Sequence, residues 1–240
     1  MDGQNIGRWS AEEAIRYDDF ATRSFSWRYI EKPSLRTLVK PYITTKTVAL
    51  DLGCGGGRII SMLRDLGVAE KFVYGLDSNP TLVDLARKRF PDANIIRTEL
   101  TNTPYPGITR SVDLATAHLV LQYLSADDLS TCFKEVRRLL KPGGWMAIGV
   151  PHPMRVIEQA ESCYFSRKLQ VVRAPWGGVT TSSGLTISDH VNVAIAAGFN
   201  IVRMDEPEIA EHGNLHREAA SYSSGPTRLM MLMQATDLRR

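Results

Sequence analysis

The chain has 240 residues, 43% of them hydrophobic and 23% charged, with a formal net charge of +3. That length holds one large α/β domain with a generous core, and the composition is that of an ordinary soluble globular protein. The basic excess is too small to argue for a nucleic-acid-binding face; its tightest run, Arg87-Lys88-Arg89, falls on a predicted helix and reads as a solvated face. Cys54, Cys132 and Cys163 make an odd count, so no disulfide framework is expected and a reducing, cytoplasmic location is. Residues 1–10 lack the apolar run of a secretory leader, and no segment approaches the roughly 18 apolar residues of a membrane span.

Ser10-Ala11-Glu12-Glu13 predicts a capping-box helix start, with Ala14, Ile15, Tyr17, Phe20 and Ala21 as its apolar side. A second short helix is predicted from Pro33 to Val39, ahead of Pro41. Residues 1–43 therefore read as a helical cap on the domain that follows, 44–240. Val48-Ala49-Leu50 is a strand buried on both faces. The glycines after it join that strand to a helix carrying Ile59, Met62, Leu63 and Leu66 at helical spacing, stopped by Gly67.

Strands and helices then alternate. Phe72 to Leu76 is a second strand ending on Asp77, and Ser78-Asn79-Pro80 caps a helix with Leu82, Val83, Ala86 and Phe90 on one side. Ile95-Ile96 marks a third strand and Val112 to Ala117 a fourth. The longest helix follows Ser125, with Leu129, Cys132, Phe133, Val136, Leu139 and Leu140 in one stripe. Trp145 to Val150 is a fifth strand. A helix over Ser188 to Ala197 precedes a strand over Phe199 to Asp205, and the Met-rich run Leu229 to Met233 reads as a last, fully buried strand rather than a soft-metal site. Such alternation implies a parallel sheet covered by helices, with ligand at the carboxyl ends of the strands.

The loop after the first strand is Asp51-Leu52-Gly53-Cys54-Gly55-Gly56-Gly57. A dinucleotide fingerprint would place a third glycine three residues after Gly55, where Arg58 stands. A carboxylate ahead of the glycines would repel a pyrophosphate but suits a cation. The loop closely resembles the first motif of class I S-adenosylmethionine-dependent methyltransferases, whose cofactor carries a sulfonium and an ammonium and no phosphate. The likeness extends over about Thr47 to Gln234, and its detail is that of the small-molecule methyltransferases related to the ubiquinone and menaquinone enzymes.

The marks of that family recur in order: Asp77 at the second strand end, Glu99-Leu100 before Pro104, Ser111-Val112-Asp113-Leu114, Leu139 to Gly144, and Tyr29-Ile30-Glu31-Lys32-Pro33 ahead of the glycines. The resemblance implies a Rossmann-like, seven-stranded and mostly parallel sheet with an antiparallel last strand beside the sixth, plus the cap. It implies S-adenosylmethionine as cofactor, with Asp51, Gly53, Cys54 and Gly55 along it and Asp77 with Ser78 at the ribose. Glu99, where most relatives have Asp, would accept from the adenine amino group, and the Leu100 N–H would meet the ring. Closure of the cap would bring Tyr17 or Tyr29 to the cofactor.

His118 after the fourth strand and His152 after the fifth sit where a general base would stand, His118 also near the cofactor; each is equally readable as a hydrogen-bonded wall residue. His212 and His216 have metal-like spacing, but the intervening Gly213-Asn214 discourages a helix and no metal is expected. The long segments 151–187 and 207–226 are expected to build the acceptor site, with aromatics at Tyr164, Phe165, Trp176 and Tyr222. The expected reaction is methyl transfer to oxygen, nitrogen or carbon of a small aromatic or heterocyclic metabolite. A tRNA or protein acceptor and a catalytically inactive cofactor-binding partner subunit are the alternatives. Neither a nucleic-acid nor a membrane partner is expected, and a homodimer is compatible with the sequence.

Overall fold

The computed structural model describes residues 9–108, 111–166 and 168–236. Its centre is β1 (Ala49–Leu52), buried along its whole length between β2 (Val73–Asp77) and β4 (Val112–His118), parallel to both. Alternation along β1 divides its side chains. Leu50 and Leu52 join the core on one face of the sheet and Ala49 the core on the other. With β3 (Asn94–Arg97), β5 (Leu140–Pro151), β8 (Phe199–Asp205) and β9 (Arg228–Ala235), the seven strands run in the order β3-β2-β1-β4-β5-β9-β8. Strand β9 is antiparallel to both β5 and β8, so it lies between them as the one reversed strand. The expected mostly parallel sheet with a reversed last strand is the observed one.

The Met-rich run explains how β9 holds that place. Met230 and Leu232 pack on one face while Met231 and Met233 pack on the other, which a strand with neighbours on both edges and helices on both faces requires. One face is covered by α5 (Ala126–Leu139) and α7 (Ile187–Ala196). The α5 stripe from Leu129 to Leu139 is fully buried, so truncating Phe133 there would cost about 3–5 kcal/mol. The other face takes α3 (Arg58–Asp65), α4 (Pro80–Arg89) and part of the cap. Asp113 is the second residue of β4, at the opposite end of the sheet from the glycines, where it accepts from the Val48 N–H and pairs with Lys141.

The cap opens with α1 (Ala11–Arg23), whose Ser10 and Glu13 form the capping box expected of them. A π turn over Trp27–Glu31 then runs straight into α2 (Lys32–Val39). Its wider turn buries Trp27, Ile30 and Glu31, an outcome no 3.6-residue period predicts. Leu35, Leu38 and Val39 lie in one core with Ala147 and Leu232 of the sheet, so the second half of the cap covers that sheet face.

The long segment 151–187 has secondary structure of its own. It holds α6 (Pro153–Ala160) and a hairpin of β6 (Gln170–Arg173) and β7 (Val179–Ser182), all of them short elements. Segment 207–226 has only single 3-10 turns, and its Ile209, Ala219 and Tyr222 pack on Phe25, Tyr29 and Ile30 of the cap. Among the described residues no helix is long and apolar enough to cross a membrane.

Candidate functional site

The loop after β1 is held by backbone. Gly53 has φ +65°, and a side chain there would overlap Val120. The Cys54 N–H donates to the Leu76 carbonyl at 2.8 Å, tying the loop to β2, while the Cys54 thiol is turned into the core and pushed up by burial. Asp77, at the end of β2, accepts from the Gly55 N–H at Oδ2 and from the Asn79 N–H at Oδ1, both at 2.9 Å. Burial raises the Asp77 carboxyl, and these bonds pull it back. Asp51 is deeper. Thr116 donates to its Oδ1 at 2.8 Å, whereas its buried Oδ2 has no hydrogen-bond partner among the described residues. Burial pushes its pKa up to about 7 against the Thr116 bond and the Arg58 charge.

The cap closes over this loop. Tyr17, Asp18 and Ala21 of α1 face Gly53 to Gly56, and only about 10 Å³ remains in the cleft that they line with Arg58 and His118. Asp18 holds Arg89 in a two-pronged ion pair at 2.6 and 2.8 Å, and the same guanidinium donates to the Gly56 carbonyl. Gly56 has no room for a side chain because Asp18 and Arg89 occupy it.

Beside the loop lies a buried charge cluster that sequence reading missed. Glu31, 1% exposed, takes a bidentate grip from Arg228 at 2.6 and 2.8 Å and a hydrogen bond from His118 Nε2 at 2.9 Å. Arg58 Nη1 lies 3.6 Å from its other side. Burial alone would raise the Glu31 carboxyl, but Arg228, His118 and Arg58 together hold it well below the usual range. Burial pushes His118 down to about 4 against the pull of Glu31, so the imidazole is neutral at pH 7 and donates through Nε2.

In that arrangement both histidines are engaged with protein partners. The remaining nitrogen of His118, Nδ1, faces Gly149 of β5, where a Cβ would overlap it, and not an acceptor. His152 caps α6: its Nδ1 accepts from the Met154 N–H at 3.2 Å and its Nε2 donates to Glu206 at 2.8 Å. At 2% exposure with both nitrogens engaged, it has no lone pair for a substrate proton.

A larger cavity, about 230 Å³, opens on the other side of Arg58, between α1, the α6 to β7 excursion and the start of β9. Its charged lining is four arginines, Arg58, Arg155, Arg173 and Arg228, against the single carboxylate of Glu31. Arg155 pairs with Glu158 at 2.8 Å, and Arg173 has no ion-pair partner among the described residues. Tyr17, Phe20 and Trp176 make an aromatic wall; Trp176, at the hairpin tip, lies 5.0 Å from Tyr17 and 5.9 Å from Phe20 between ring centroids. Burial raises Tyr17, and takes Tyr123, which shares a hydrogen bond with Thr180, up to about 12; both are protonated at neutral pH.

Of the residues singled out from sequence, Tyr17, Gly53, Cys54, Gly55 and His118 meet at one cleft, with Asp77 bonded to it through Gly55. Ser78 is exposed next to Asp77, and Glu99, also exposed, adds to the negative field at Asp77. The Leu100 side chain lies in the core and its carbonyl accepts from Tyr105. Tyr29 stands apart: the π turn places its ring against Phe25, His212 and His216. Those two histidines serve that aromatic packing. Trp176 and Tyr222 line the large cavity, whereas Phe165 is exposed and the Tyr164 hydroxyl accepts from the Ile187 N–H at the start of α7.

Residues 50–148 match the family model described as a methyltransferase domain. A trans-aconitate 2-methyltransferase from Methylobacterium radiotolerans is 29% identical over 70% of this chain and 57% of its own length. One from Rhizobium rhizogenes is 32% identical over 60% of this chain and 50% of its own. The chain thus matches little more than half the length of these relatives. An S-adenosylmethionine-dependent methyltransferase structure from Mesorhizobium loti superposes with a TM-score of 0.65 at 23% identity, covering 88% of this chain and 98% of that one. One from Clostridium acetobutylicum gives 0.65 at 15% identity, covering 94% and 98%. Residues 50–148 thus match a methyltransferase domain, and the sheet order and reversed last strand are those of the class I methyltransferase fold, whose cofactor, where it is an enzyme of that class, is S-adenosylmethionine.

The residues present fit that cofactor. The unpartnered Asp51 Oδ2 is a buried anionic acceptor suited to a cationic ligand, and Asp77 stands at the strand end with lone pairs to spare for hydroxyls. The positive φ of Gly53 and Gly55 bends the backbone there as no side-chain-bearing residue readily would.

Proposed function

We propose that this protein methylates a small acceptor that carries a carboxylate, at a carboxylate oxygen, in the arginine-lined cavity. The observation that carries the reading is the imbalance of charge: four arginines and one already committed glutamate line a cavity of about 230 Å³. Guanidinium groups match planar carboxylates bidentately. The aromatic wall of Tyr17, Phe20 and Trp176 suits a flat, unsaturated or aromatic body behind the charged group. The relatives named for trans-aconitate, itself a flat polyanion, support the same reading.

S-adenosylmethionine, when bound, supplies a methyl group activated on its sulfonium. A carboxylate nucleophile is already ionised at neutral pH, so the protein has no proton to remove. This agrees with the engagement of His118 and His152 and with tyrosines whose protons burial retains. What remains for the chain is to orient the acceptor and exclude water, which positioned groups do without acid–base chemistry. The arginines hold the anion, the capping helix α1 and the hairpin tip shut the cavity, and the Glu31 cluster fixes two of the cations.

The test is formation of S-adenosylhomocysteine with trans-aconitate, an aromatic acid such as benzoate, and the amide of each. Acids turned over to methyl esters with the amides inert would be the expected pattern. Methylation confined to uncharged phenols, amines or carbon acids would refute it and restore the neutral heterocycle as the substrate class.

A further inference from the structure

Arg58 is the first residue of α3, directly after the glycine loop, and it lines both the cleft beneath Tyr17 and the large cavity. Its side chain is 10% exposed. The guanidinium lies 4.9 Å from the Trp27 ring centre, its Nη1 donates to the Ala21 carbonyl at 3.4 Å, and its buried Nη2 has no hydrogen-bond partner among the described residues. A buried, charged donor without an acceptor is costly, and native structures seldom leave one without a purpose.

The charges around it sharpen the point. Among the described residues Glu31 is the one carboxylate in ion-pair contact with the cluster, and Arg228 takes the closer grip on it through both Nε and Nη2. His118 is neutral at pH 7, and Asp51, although it feels the Arg58 charge, makes no ion pair with it. Two guanidinium groups therefore share one carboxylate, and the uncompensated charge resides on Arg58, on the side of Nη2.

We infer that Arg58 is a carboxylate-binding residue at the boundary of the cofactor cleft and the acceptor cavity, and that Glu31 is the positioning residue that holds it there. The inference rests on the methyltransferase reading of the cleft. Two carboxylates can reach that boundary: the one on the amino-acid end of the cofactor and the one on the acceptor. Both offer the planar, two-oxygen anion that an unpartnered guanidinium edge recognises.

The experiment compares S-adenosylhomocysteine, which keeps the amino-acid carboxylate, with methylthioadenosine, which lacks it, by calorimetry on wild type, Arg58→Met and Arg58→Lys. Binding of S-adenosylhomocysteine to the wild type tests the methyltransferase reading by itself; the differences between variants test Arg58. If the cofactor carboxylate is the ligand, Arg58→Met loses at least tenfold in affinity for S-adenosylhomocysteine and nothing for methylthioadenosine, and Arg58→Lys recovers part of the loss. If the acceptor carboxylate is the ligand, S-adenosylhomocysteine affinity is unchanged and the affinity of trans-aconitate for the S-adenosylhomocysteine complex falls at least tenfold. Glu31→Gln should follow the same pattern more weakly, because Arg58 keeps its charge and loses its anchor. Equal losses for S-adenosylhomocysteine and methylthioadenosine would show a merely structural arginine and overturn the inference, as would no loss for any of the three ligands. Circular dichroism melting confirms that each variant compared is folded.

Discussion

The cofactor side of the cleft presents backbone and two carboxylates, brought together within the 27 residues from Asp51 to Asp77 of a strand–loop–helix–strand unit. The acceptor side presents side chains from places far apart in the chain: Arg58 from α3, Arg155 from α6, Arg173 from β6 and Arg228 from β9. The first is anionic, as a cationic ligand would require, and the second is cationic. Methyl transfer from a sulfonium to an anion, as proposed, would need that polarity, and Arg58 stands where the two fields meet. The difference also separates tolerance to change: the loop depends on φ angles and close approach, the cavity on which charged heads point inward.

Glu31 is the residue on which the acceptor side most depends, so its loss is the largest expected effect. Glu31→Leu leaves Arg228 buried without its partner and should cost about 3–5 kcal/mol in urea unfolding. A loss below about 1 kcal/mol would mean that the cluster is not coupled to the fold. On the cofactor side, Asp77→Ala removes a carboxylate that organises the Gly55 and Asn79 N–H groups. Calorimetry should show S-adenosylhomocysteine binding weakened by about 1.5–3 kcal/mol, with the acceptor cavity unaffected.

The next prediction concerns pH. Burial raises Asp51 from an ordinary 3.8 to about 7 in the folded protein. Its contribution to stability is therefore fully present below about pH 4 and is lost as pH rises towards and through 7. A cationic ligand favours the ionised form, so cofactor binding near pH 6 should release a proton and tighten as pH rises. Calorimetry in two buffers of different ionisation heat measures the release; Asp51→Asn should abolish it and should melt higher than the wild type at pH 8 in the absence of ligand. His118 works in the opposite sense: its lowered pKa means that stability falls as pH drops from about 6.5 towards 4.

The smallest effect is expected at His152. Its alanine variant loses the cap of α6, worth about 0.5–2 kcal/mol, and should keep turnover within about threefold. A drop of 100-fold with normal cofactor affinity would return His152 to the chemistry and contradict its orientation in the fold.

What the sequence by itself determined is what local pattern encodes. An apolar run at Val48-Ala49-Leu50, the glycines that follow Asp51-Leu52, a helical stripe after Ser125 and a Met-rich strand with no polar face leave few ways to fold, and the alternation of elements leads to a parallel sheet with its ligand at the strand ends. The cofactor loop was legible because its residues are neighbours in the chain. Tertiary structure alone decided the rest. Nothing near Glu31 in sequence announces Arg228, a partner 197 positions away, and a single π turn rotates it into the interior while sending Tyr29 elsewhere. His152 stands at a strand end, as its position predicts, but the direction of its ring is set by a helix start and by Glu206, neither of them visible in a Pro-His-Pro triplet. The arginines of the acceptor cavity converge because α6 and the β6–β7 hairpin fold back against α1. A charge that belongs to a site by convergence has no period and no spacing, and only packing reveals it.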